Sequence, residues 1–164
     1  ENVLQTNNRQ CYIANDNSPQ QVVLSGLKKS IDLFSEDLDK LKIRNMKLNV
    51  SAPFHCKLMK TATVNMREKI LNLNLNEIRK PIVSNFTAKP TISTSEIKNL
   101  LVSQIEGRVR WFESVEFMIN EGTKNFIEIG PGKVLSGLIR RINNNVNFKS
   151  INSVQDIKEL NLNV

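Results

Sequence analysis

Short runs of β-forming residues alternate with amphipathic helical patterns along most of this chain, and this alternation constrains the fold more than any other feature. In each helical pattern an apolar residue recurs at every third or fourth position, which places the apolar side chains on one face. Strands that alternate with such helices are typical of an α/β fold with a parallel component in its sheet. The strands are predicted at 11–14, 21–24, 44–50, 81–85, 125–129 and 147–151. The helices are predicted at 25–42, 58–73, 93–106, 111–120, 134–142 and 154–160.

The first quarter of the chain reads as β-β-α-β, with a turn between its first two strands. The turn is predicted from Asn15 to Pro19, where turn-forming residues are dense. Ser25 is predicted to cap the first helix, and Ser93 with Glu96 forms the capping-box pattern of the third. The second helix carries a methionine-rich apolar stripe that is predicted to pack in the core. Its members are Met59, Ala62, Met66, Ile70 and Leu73.

Length and composition indicate a soluble globular protein. At 164 residues the chain suits one domain, or one and a fraction. Apolar residues make up 40% and charged residues 24%, with no stretch near the about 18 consecutive apolar residues of a membrane span. Residues 1–9 lack the basic region and apolar run of a signal peptide. Cys11 and Cys56 form no CxxC motif, which favours reduced thiols in a cytoplasmic protein.

The net charge of +7 favours an acidic partner, such as an acidic protein or a phosphorylated small molecule. The basic residues are scattered along the chain, and one Trp and one Tyr offer few rings to stack on bases. A dedicated nucleic-acid-binding protein would show a denser basic stripe. We therefore expect no nucleic-acid partner and no membrane association.

His55 is the only histidine in the chain and lies where a strand-like run gives way to a helical pattern. Pro53 fixes its own φ and pushes Ala52 to an extended conformation, so a helix cannot begin before Phe54. Loop residues at strand ends often take part in chemistry, and an imidazole suits a general base at neutral pH. A lone histidine is more often a satisfied polar residue, and on these residues alone both interpretations stand.

Gln104 falls on the apolar face of the predicted helix 93–106, four residues after Leu100 and three after Leu101. A buried amide needs hydrogen-bond partners. Gln104 is therefore either a structural hydrogen-bonding residue, which the pattern favours, or part of a site.

The chain offers a base but no recognisable nucleophile. A serine elbow reads Gly-x-Ser-x-Gly, because its tight corner tolerates only small neighbours, and none of the six glycines has serine two residues later. One histidine and two distant cysteines give no metal-ligand set, so no metal site is expected. Gly130-Pro-Gly-Lys133 matches neither common phosphate-loop motif and is interpreted as a strand-to-helix turn, although a helix N-terminus can attract an anion.

Seven stretches occur in an order and at a spacing that match one known family. They are Asn15-Asp-Asn-Ser-Pro-Gln-Gln-Val-Val-Leu-Ser-Gly26, Val50-Ser-Ala-Pro-Phe-His-Cys-Lys-Leu-Met59, Pro81-Ile-Val-Ser-Asn85, Leu101-Val-Ser-Gln-Ile105, Val109-Arg-Trp111, Ser114-Val-Glu-Phe-Met118 and Glu128-Ile-Gly-Pro-Gly-Lys-Val-Leu135. Together they closely resemble the C-terminal half of malonyl-CoA:acyl carrier protein transacylases. The resemblance runs from about Cys11 to Ile142 and is specific, because several separate motifs agree.

The resemblance implies a malonyltransferase of fatty-acid biosynthesis, which moves a malonyl group from coenzyme A to the phosphopantetheine thiol of acyl carrier protein. His55 would be the catalytic base of a Ser–His pair, and Gln104 would orient its ring through the backbone carbonyl. Asn17 would line the cleft, and Phe54 would belong to the malonyl-type specificity pattern. Malonyl-CoA would be the substrate and acyl carrier protein the partner, both suited to a basic surface, and no bound cofactor is expected.

The resemblance also implies a fold: the C-terminal part of an α/β-hydrolase-like acyltransferase domain, plus the later part (β-β-α-β) of a ferredoxin-like small subdomain. Residues 1–48 would belong to the small subdomain and residues 49–164 to the large one. The family's serine elbow, its oxyanion-hole donors and the arginine that pairs with the malonyl carboxylate lie N-terminal to the matched region. The family's Ser-Pro-Gly-Gln run has Gln20 in place of its glycine.

These departures leave two hypotheses for function. The first is an acyltransferase half, inactive alone, that works with a separate N-terminal half carrying the serine. The second is a non-catalytic remnant, or a binding fragment with residual affinity for acyl carrier protein or coenzyme A. In either case a half-domain would expose strands and apolar faces, so we expect poor solubility or self-association when it is alone.

Overall fold

The computed structural model describes residues 10–160, which form three small sheets and six α-helices. The strands are β1 Cys11–Ser18, β2 Gln21–Gly26, β3 Ile82–Val83, β4 Pro90–Thr91, β5 Asn125–Ile129 and β6 Asn147–Ile151. The α-helices are α1 Lys28–Lys40, α2 Lys60–Leu71, α3 Thr94–Glu106, α4 Trp111–Asn120, α5 Val134–Ile142 and α6 Val154–Lys158. A 3₁₀ turn at Lys57–Met59 leads into α2. None of the helices in this part of the chain is long and apolar enough to cross a membrane.

β1 and β2 form an antiparallel hairpin that is longer than the sequence pattern predicted. The ladder continues to the pair Ser18 and Gln21, so the turn lies at 19–20 and does not span 15–19. Register shifts between Ile13 and Asn15, and again between Asp16 and Ser18, act as bulges. They allow polar, turn-forming residues to remain in the ladder, because each bulge absorbs an extra residue without ending the pairing.

α1 begins later than predicted, and Ser25 does not cap it. Ser25 lies inside β2, where it pairs with Tyr12. Leu27 occupies the N-cap position and provides no side-chain hydrogen bond there. The helix ends at Lys40, and Lys42 has a positive φ of 57° that takes the chain out of the helical path.

The predicted strand 44–50 is not formed, so the first quarter is β-β-α. Alternating apolar residues in this segment are exposed, with Met46 at 80% and Val50 at 62%. The segment is fixed mainly by polar contacts to α1: Asn45 accepts from the Ser35 hydroxyl, and Lys47 pairs with Asp32 at 2.7 Å. A strand needs a neighbour for its backbone groups, and no strand in residues 10–160 lies beside this one.

The middle of the chain follows the prediction in its helices more closely than in its strands. The predicted strand 81–85 is reduced to β3, which pairs antiparallel with β4 over two residues. α2 packs against α3, but its predicted core stripe is only partly buried: Ala62 and Ile70 are half-buried, whereas Met66 and Leu73 are exposed.

Ser93 caps α3 by accepting from the N–H of Glu96, as predicted. The reciprocal half of the capping box is replaced, because the Glu96 carboxylate accepts from the Thr91 hydroxyl.

The C-terminal third forms as predicted, including a parallel pair of strands. β5 and β6 run parallel in register from the pair Asn125 and Asn147 to the pair Ile129 and Ile151. α5 packs on both strands, and α4 packs on α5 and on β1. Because α5 also contacts β1, helices α4 and α5 together join the hairpin to the parallel sheet. The main buried cluster lies here, with Val115, Ile139 and Val146 at its centre and Trp111, Met118, Ile119, Phe126 and Ile142 around them.

We predict that Val115→Ala lowers the free energy of unfolding by about 2–3 kcal/mol, because the side chain is fully buried and its loss leaves a cavity. Val115 has 0% exposed surface. Urea unfolding followed by the emission of Trp111, the only tryptophan, measures the change. Val64→Ala is the control, since Val64 is 62% exposed and should change stability by less than about 0.5 kcal/mol. Equal effects of the two substitutions would contradict this view of the core.

Candidate active site

The corner that carries His55 is closed by local hydrogen bonds. The thiol of Cys56 is buried and donates to the carbonyl of Pro53 at 3.2 Å. The carbonyl of Cys56 accepts from the N–H of Met59 at 2.9 Å, which starts the 3₁₀ turn and then α2. Pro53 and Cys56 therefore fix the backbone on both sides of the histidine.

His55 itself adopts a left-handed backbone conformation, with φ at 59°. This region is uncommon for a residue with a side chain and costs on the order of 1–3 kcal/mol. Such strain is maintained only where the surrounding structure fixes it, and it concentrates at functional sites. The half-buried ring, held in an unfavourable backbone conformation, marks this corner as a candidate site.

The ring of His55 contacts the end of α3. Its Nδ1 lies 3.0 Å from the main-chain oxygen of Gln104. A carbonyl oxygen can only accept, so Nδ1 must carry a hydrogen and donate it. In the neutral ring this places the lone pair on Nε2, the nitrogen that can accept a proton from another group.

The Gln104 carbonyl is available because α3 ends just beyond it. The carbonyl of Ser103 accepts from the N–H of Gly107 at 2.9 Å, and this is the last turn of the helix. Gly107 then adopts an extended conformation, with ψ at 146°, and the chain leaves the helical path. The last carbonyls of a helix have no partner within it, and the ring of His55 satisfies one of them. The side-chain amide of Gln104, half-buried, is not the group that makes this contact.

Three contacts hold the segment that follows α3. Gly107 lies so close to the ring of Phe86 that a Cβ would come within 2.2 Å of it. Val109 exchanges backbone hydrogen bonds with β1, donating to Ala14 and accepting from Asp16, both at 2.8 Å. The next N–H, that of Arg110, donates to the carbonyl of Asn85 at 2.7 Å. The end of α3, and with it the acceptor for His55, is therefore fixed to two other parts of the fold.

Arg110 and Glu113 form an ion pair at the start of α4. The guanidinium donates twice to the Glu113 carboxylate and once to the carbonyl of Thr87, and Arg108 also contacts Glu113 at 3.1 Å. The hydrogen bond from Arg110 holds the pKa of Glu113 below its ordinary value, although desolvation of the carboxylate acts in the opposite direction and raises the pKa. The pair lines a shallow groove of about 580 Å³ that contains none of the four predicted site residues. The groove is lined by Thr87, Ala88, Lys89, Pro90, Arg110, Glu113, Phe117 and Glu121.

The other two predicted site residues lie apart from this contact. Asn17 is half-buried near the end of β1. Its neighbour Asp16 connects this strand to the segment after α3, because the N–H of Asp16 donates to the carbonyl of Val109. Phe54 precedes His55 and is 45% exposed. Among the described contacts, His55 and Gln104 are the pair that the fold joins directly.

The helix N-terminus that follows the turn 130–133 is occupied by a carboxylate of the protein itself. The Glu128 carboxylate accepts from the main-chain N–H groups of Leu135 and Ser136, at 3.0 and 2.8 Å, at the start of α5. Burial raises the pKa of Glu128, yet hydrogen bonds from the Ser136 hydroxyl and these N–H groups outweigh it and hold the pKa below its ordinary value. Glu128 therefore occupies the helix N-terminus that the sequence left open to an external anion. The sequence feature that could have indicated this role of Glu128 is its position near the end of a strand, just before the turn.

In residues 10–160, no group of three or more His, Cys, Asp or Glu side chains is arranged to hold a metal ion.

Comparisons with known proteins identify relatives of this chain. No family model matches it. The malonyl CoA-acyl carrier protein transacylase of Staphylococcus aureus strain MSSA476 is 40% identical over 151 residues, which is 92% of this chain and 49% of that protein. The solved malonyl-CoA:ACP transacylase of Synechocystis sp. PCC 6803 superposes with a TM-score of 0.88 at 33% identity, over 96% of this chain and 54% of that one. A malonyl-transacylase solved with its type II polyketide acyl-carrier protein gives a TM-score of 0.86 at 32% identity, over 93% and 50% of the two chains.

The fold and these matches define an α/β protein related to acyltransferases. The chain resembles malonyl-CoA:acyl carrier protein transacylases in both sequence and structure, which confirms the resemblance indicated by the seven motifs. It spans about half the length of the curated relatives that it matches.

We predict that neutral His55 carries its hydrogen on Nδ1, because the Gln104 carbonyl accepts it. A two-dimensional nitrogen–proton NMR spectrum of the labelled chain at about pH 9, where free imidazoles are neutral, reports the tautomer directly. The signal needs no assignment, since the chain has one histidine. Gln104→Ala is the control and should leave the tautomer unchanged, because the acceptor is the main chain. A hydrogen on Nε2 in the unaltered chain would contradict the contact.

We predict that Glu128→Gln destabilises the chain in a pH-dependent way. The carboxylate has a lowered pKa in the folded state, so its contribution is fully present above its ordinary value of about 4.5 and is lost as pH falls through the folded value. The difference in unfolding free energy between the two proteins should therefore be largest near pH 6 and should shrink below about pH 4.5. Urea unfolding at a series of pH values measures it, and a difference that grows on acidification would refute the assignment.

Proposed function

We propose that this chain forms the C-terminal part of a malonyl-CoA:acyl carrier protein S-malonyltransferase, with His55 as its general base. One observation carries the proposal: the only histidine donates from Nδ1 to a helix-end carbonyl, which leaves Nε2 able to accept a proton. The similarity to malonyl CoA-acyl carrier protein transacylases supplies the substrate class.

The reaction needs a hydroxyl that lies outside these 164 residues. Nε2 of His55 would take the proton of a serine hydroxyl while the serine oxygen attacks the thioester carbon of malonyl-CoA. The C–S bond then breaks, and the imidazolium returns the proton to the departing coenzyme A thiolate. In the second half, Nε2 takes the proton of the carrier thiol, whose sulfur attacks the malonyl-serine ester. The serine oxygen leaves with that proton, and Gln104 holds the ring in one orientation throughout.

The finer organisation follows the same proposal. The hairpin β1–β2 and helix α1 would form the later part of a ferredoxin-like small subdomain, ending near residue 48. Residues 49–164 would form the C-terminal part of an α/β-hydrolase-like large subdomain. Asn17 would line the cleft from the small-subdomain side, and Phe54 would contact the acyl group beside His55.

The proposed partners are malonyl-CoA as substrate, acyl carrier protein as acceptor and a further half that carries the serine. One structural relative was solved in complex with its acyl-carrier protein. The net charge of +7 suits an acidic carrier protein and the phosphates of coenzyme A, and raises the rate of encounter with both. We propose a cytoplasmic location for this chemistry and no bound cofactor.

A second function is favoured by one specific observation. The 164 residues contain no Gly-x-Ser-x-Gly elbow, so the chain could be a non-catalytic remnant, or a binding fragment for acyl carrier protein or coenzyme A. One measurement distinguishes the two functions. It is malonyl transfer by this chain in the presence of the half that carries the serine.

We predict that co-expressing this chain with the half of the Staphylococcus aureus transacylase that it does not match gives malonyl transfer to acyl carrier protein. His55→Ala should lower the rate by about 10²–10⁴-fold, the usual contribution of a general base. Gln104→Ala should keep most of the activity, because the ring is oriented by a main-chain oxygen. Mass spectrometry of the carrier protein measures the product. A folded complex that transfers nothing would support the remnant instead.

A further inference from the structure

Two donors compete for the carbonyl of Gln104. In a regular α-helix this carbonyl would accept from the N–H four residues further along, which is that of Arg108. In the structure it accepts from Nδ1 of His55 at 3.0 Å, and the N–H that closes the last turn of the helix is that of Gly107. The orientation of the imidazole therefore depends on what keeps the N–H of Arg108 out of the helical position.

The backbone of Gly107 does not decide this competition by itself. Its φ of −86° and ψ of 146° are open to any residue, and so is the helical alternative. A contact from outside the helix is more selective, because the ring of Phe86 lies 2.2 Å from the place that a Cβ of Gly107 would take. The extended conformation thus goes together with the position of the loop that carries Phe86.

Arg110 holds this loop on both sides of Phe86. Its main-chain N–H donates to the carbonyl of Asn85 at 2.7 Å, and its guanidinium donates to the carbonyl of Thr87 at 3.3 Å. Its own carbonyl accepts from the hydroxyl of the buried Ser114 at 2.7 Å. The main chain of Arg110 is therefore fixed through both its N–H and its carbonyl, and the direction of its side chain sets how the loop lies against the end of α3.

Glu113 sets the direction of that side chain and of a second arginine. Its carboxylate accepts from Nε and from a terminal nitrogen of Arg110, and from Arg108 at 3.1 Å. Paired hydrogen bonds with a third charged donor keep their strength where a simple surface ion pair does not. The three side chains are about one-third exposed, so water screens them only in part. Because the two arginines flank Val109, the carboxylate holds this segment toward α4 and away from the path of α3.

We propose that Glu113 is a positioning residue for His55. By holding Arg108 and Arg110 on the side of α4, it keeps the N–H of Arg108 from the Gln104 carbonyl and leaves that carbonyl to the imidazole. The hydrogen bonds of its carboxylate are to the two arginines, so it acts through the backbone between α3 and α4. The effect on catalysis rests on the proposed function, whereas the effect on the ring does not.

The first test measures the tautomer of His55 by nitrogen–proton NMR of the labelled full chain at about pH 9, where free imidazoles are neutral. Glu113→Gln keeps the size of the side chain, but its amide places an NH₂ group, a donor, where the arginines need an acceptor. The unaltered chain should show the Nδ1–H form alone, and Glu113→Gln should show both tautomers. Glu116→Gln is the matched control, because it makes the same change at an exposed residue of the same helix. Circular dichroism establishes that each variant is folded.

Arg110→Lys tests the same link from the other side of the ion pair. It keeps the positive charge, but an ammonium cannot reproduce the paired hydrogen bonds to Glu113 together with the bond to Thr87. It should also give both tautomers. The double variant Glu113→Gln/Arg110→Lys should change their ratio little further, because the two residues act as one unit. If Glu113→Gln does not fold, Arg110→Lys decides the proposal alone.

Each outcome of these spectra decides the proposal. Both tautomers in Glu113→Gln and Arg110→Lys, with the Nδ1–H form alone in Glu116→Gln, support it. The Nδ1–H form alone in folded Glu113→Gln or Arg110→Lys overturns it, and so does an equal mixture of tautomers in Glu116→Gln. An ion pair that only stabilises the fold would change the free energy of unfolding and leave the tautomer of the folded chain as it is.

Malonyl transfer separates this inference from the proposed function. In the complex with the unmatched half of the Staphylococcus aureus transacylase, Glu113→Gln should lower kcat by about tenfold or more. It should leave KM for malonyl-CoA unchanged, because a misplaced base slows the chemical step. Mixed tautomers without transfer by any form of the chain would keep the positioning role and reject the transferase. Transfer that His55→Ala abolishes and Glu113→Gln leaves unchanged would keep the transferase and reject the positioning role.

Discussion

The hydrogen bond between Nδ1 of His55 and the carbonyl of Gln104 joins two parts of the chain that are 49 positions apart, and it depends on where α3 ends. If α3 continued for another turn, the Gln104 carbonyl would accept from an N–H four residues further on. Gly107 instead takes an extended conformation, and the carbonyl remains open to the ring. The orientation of the candidate base is therefore set by a helix terminus, a feature of the backbone.

That terminus is held by parts of the fold that make no contact of their own with the histidine. The pairing of Val109 with Ala14 and Asp16 ties it to the hairpin, and the hydrogen bond from Arg110 to Asn85 ties it to the loop before β4. Arg110 also forms an ion pair with Glu113, which lies in the first turn of α4. One short segment thus sets the position of the acceptor relative to the hairpin strand that carries Asn17. This explains how motifs far apart in the sequence converge on one small region.

The sequence predicted best those elements whose pattern is satisfied locally. Helices α3 and α4 and strands β5 and β6 lie within a residue of their predicted bounds, because each has a clear apolar period and a turn or cap at its ends. The failures involve partners that are distant in sequence. Residues 44–50 alternate like a strand but have no neighbouring strand in the described part of the chain, so the pattern alone did not decide the structure.

In the candidate site, too, the local features were predicted from the sequence and those that depend on distant partners were not. The corner at Pro53 and the single histidine were visible in the sequence, as was the position of Gln104 on a helix. Whether Gln104 acts through its amide or its main chain could not be read from residue type, since every residue has the same carbonyl; the family resemblance indicated the main chain. Glu128 was missed because its role depends on how the turn 130–133 folds back over β5. Its carboxylate fills a helix N-terminus that otherwise attracts an anion from outside.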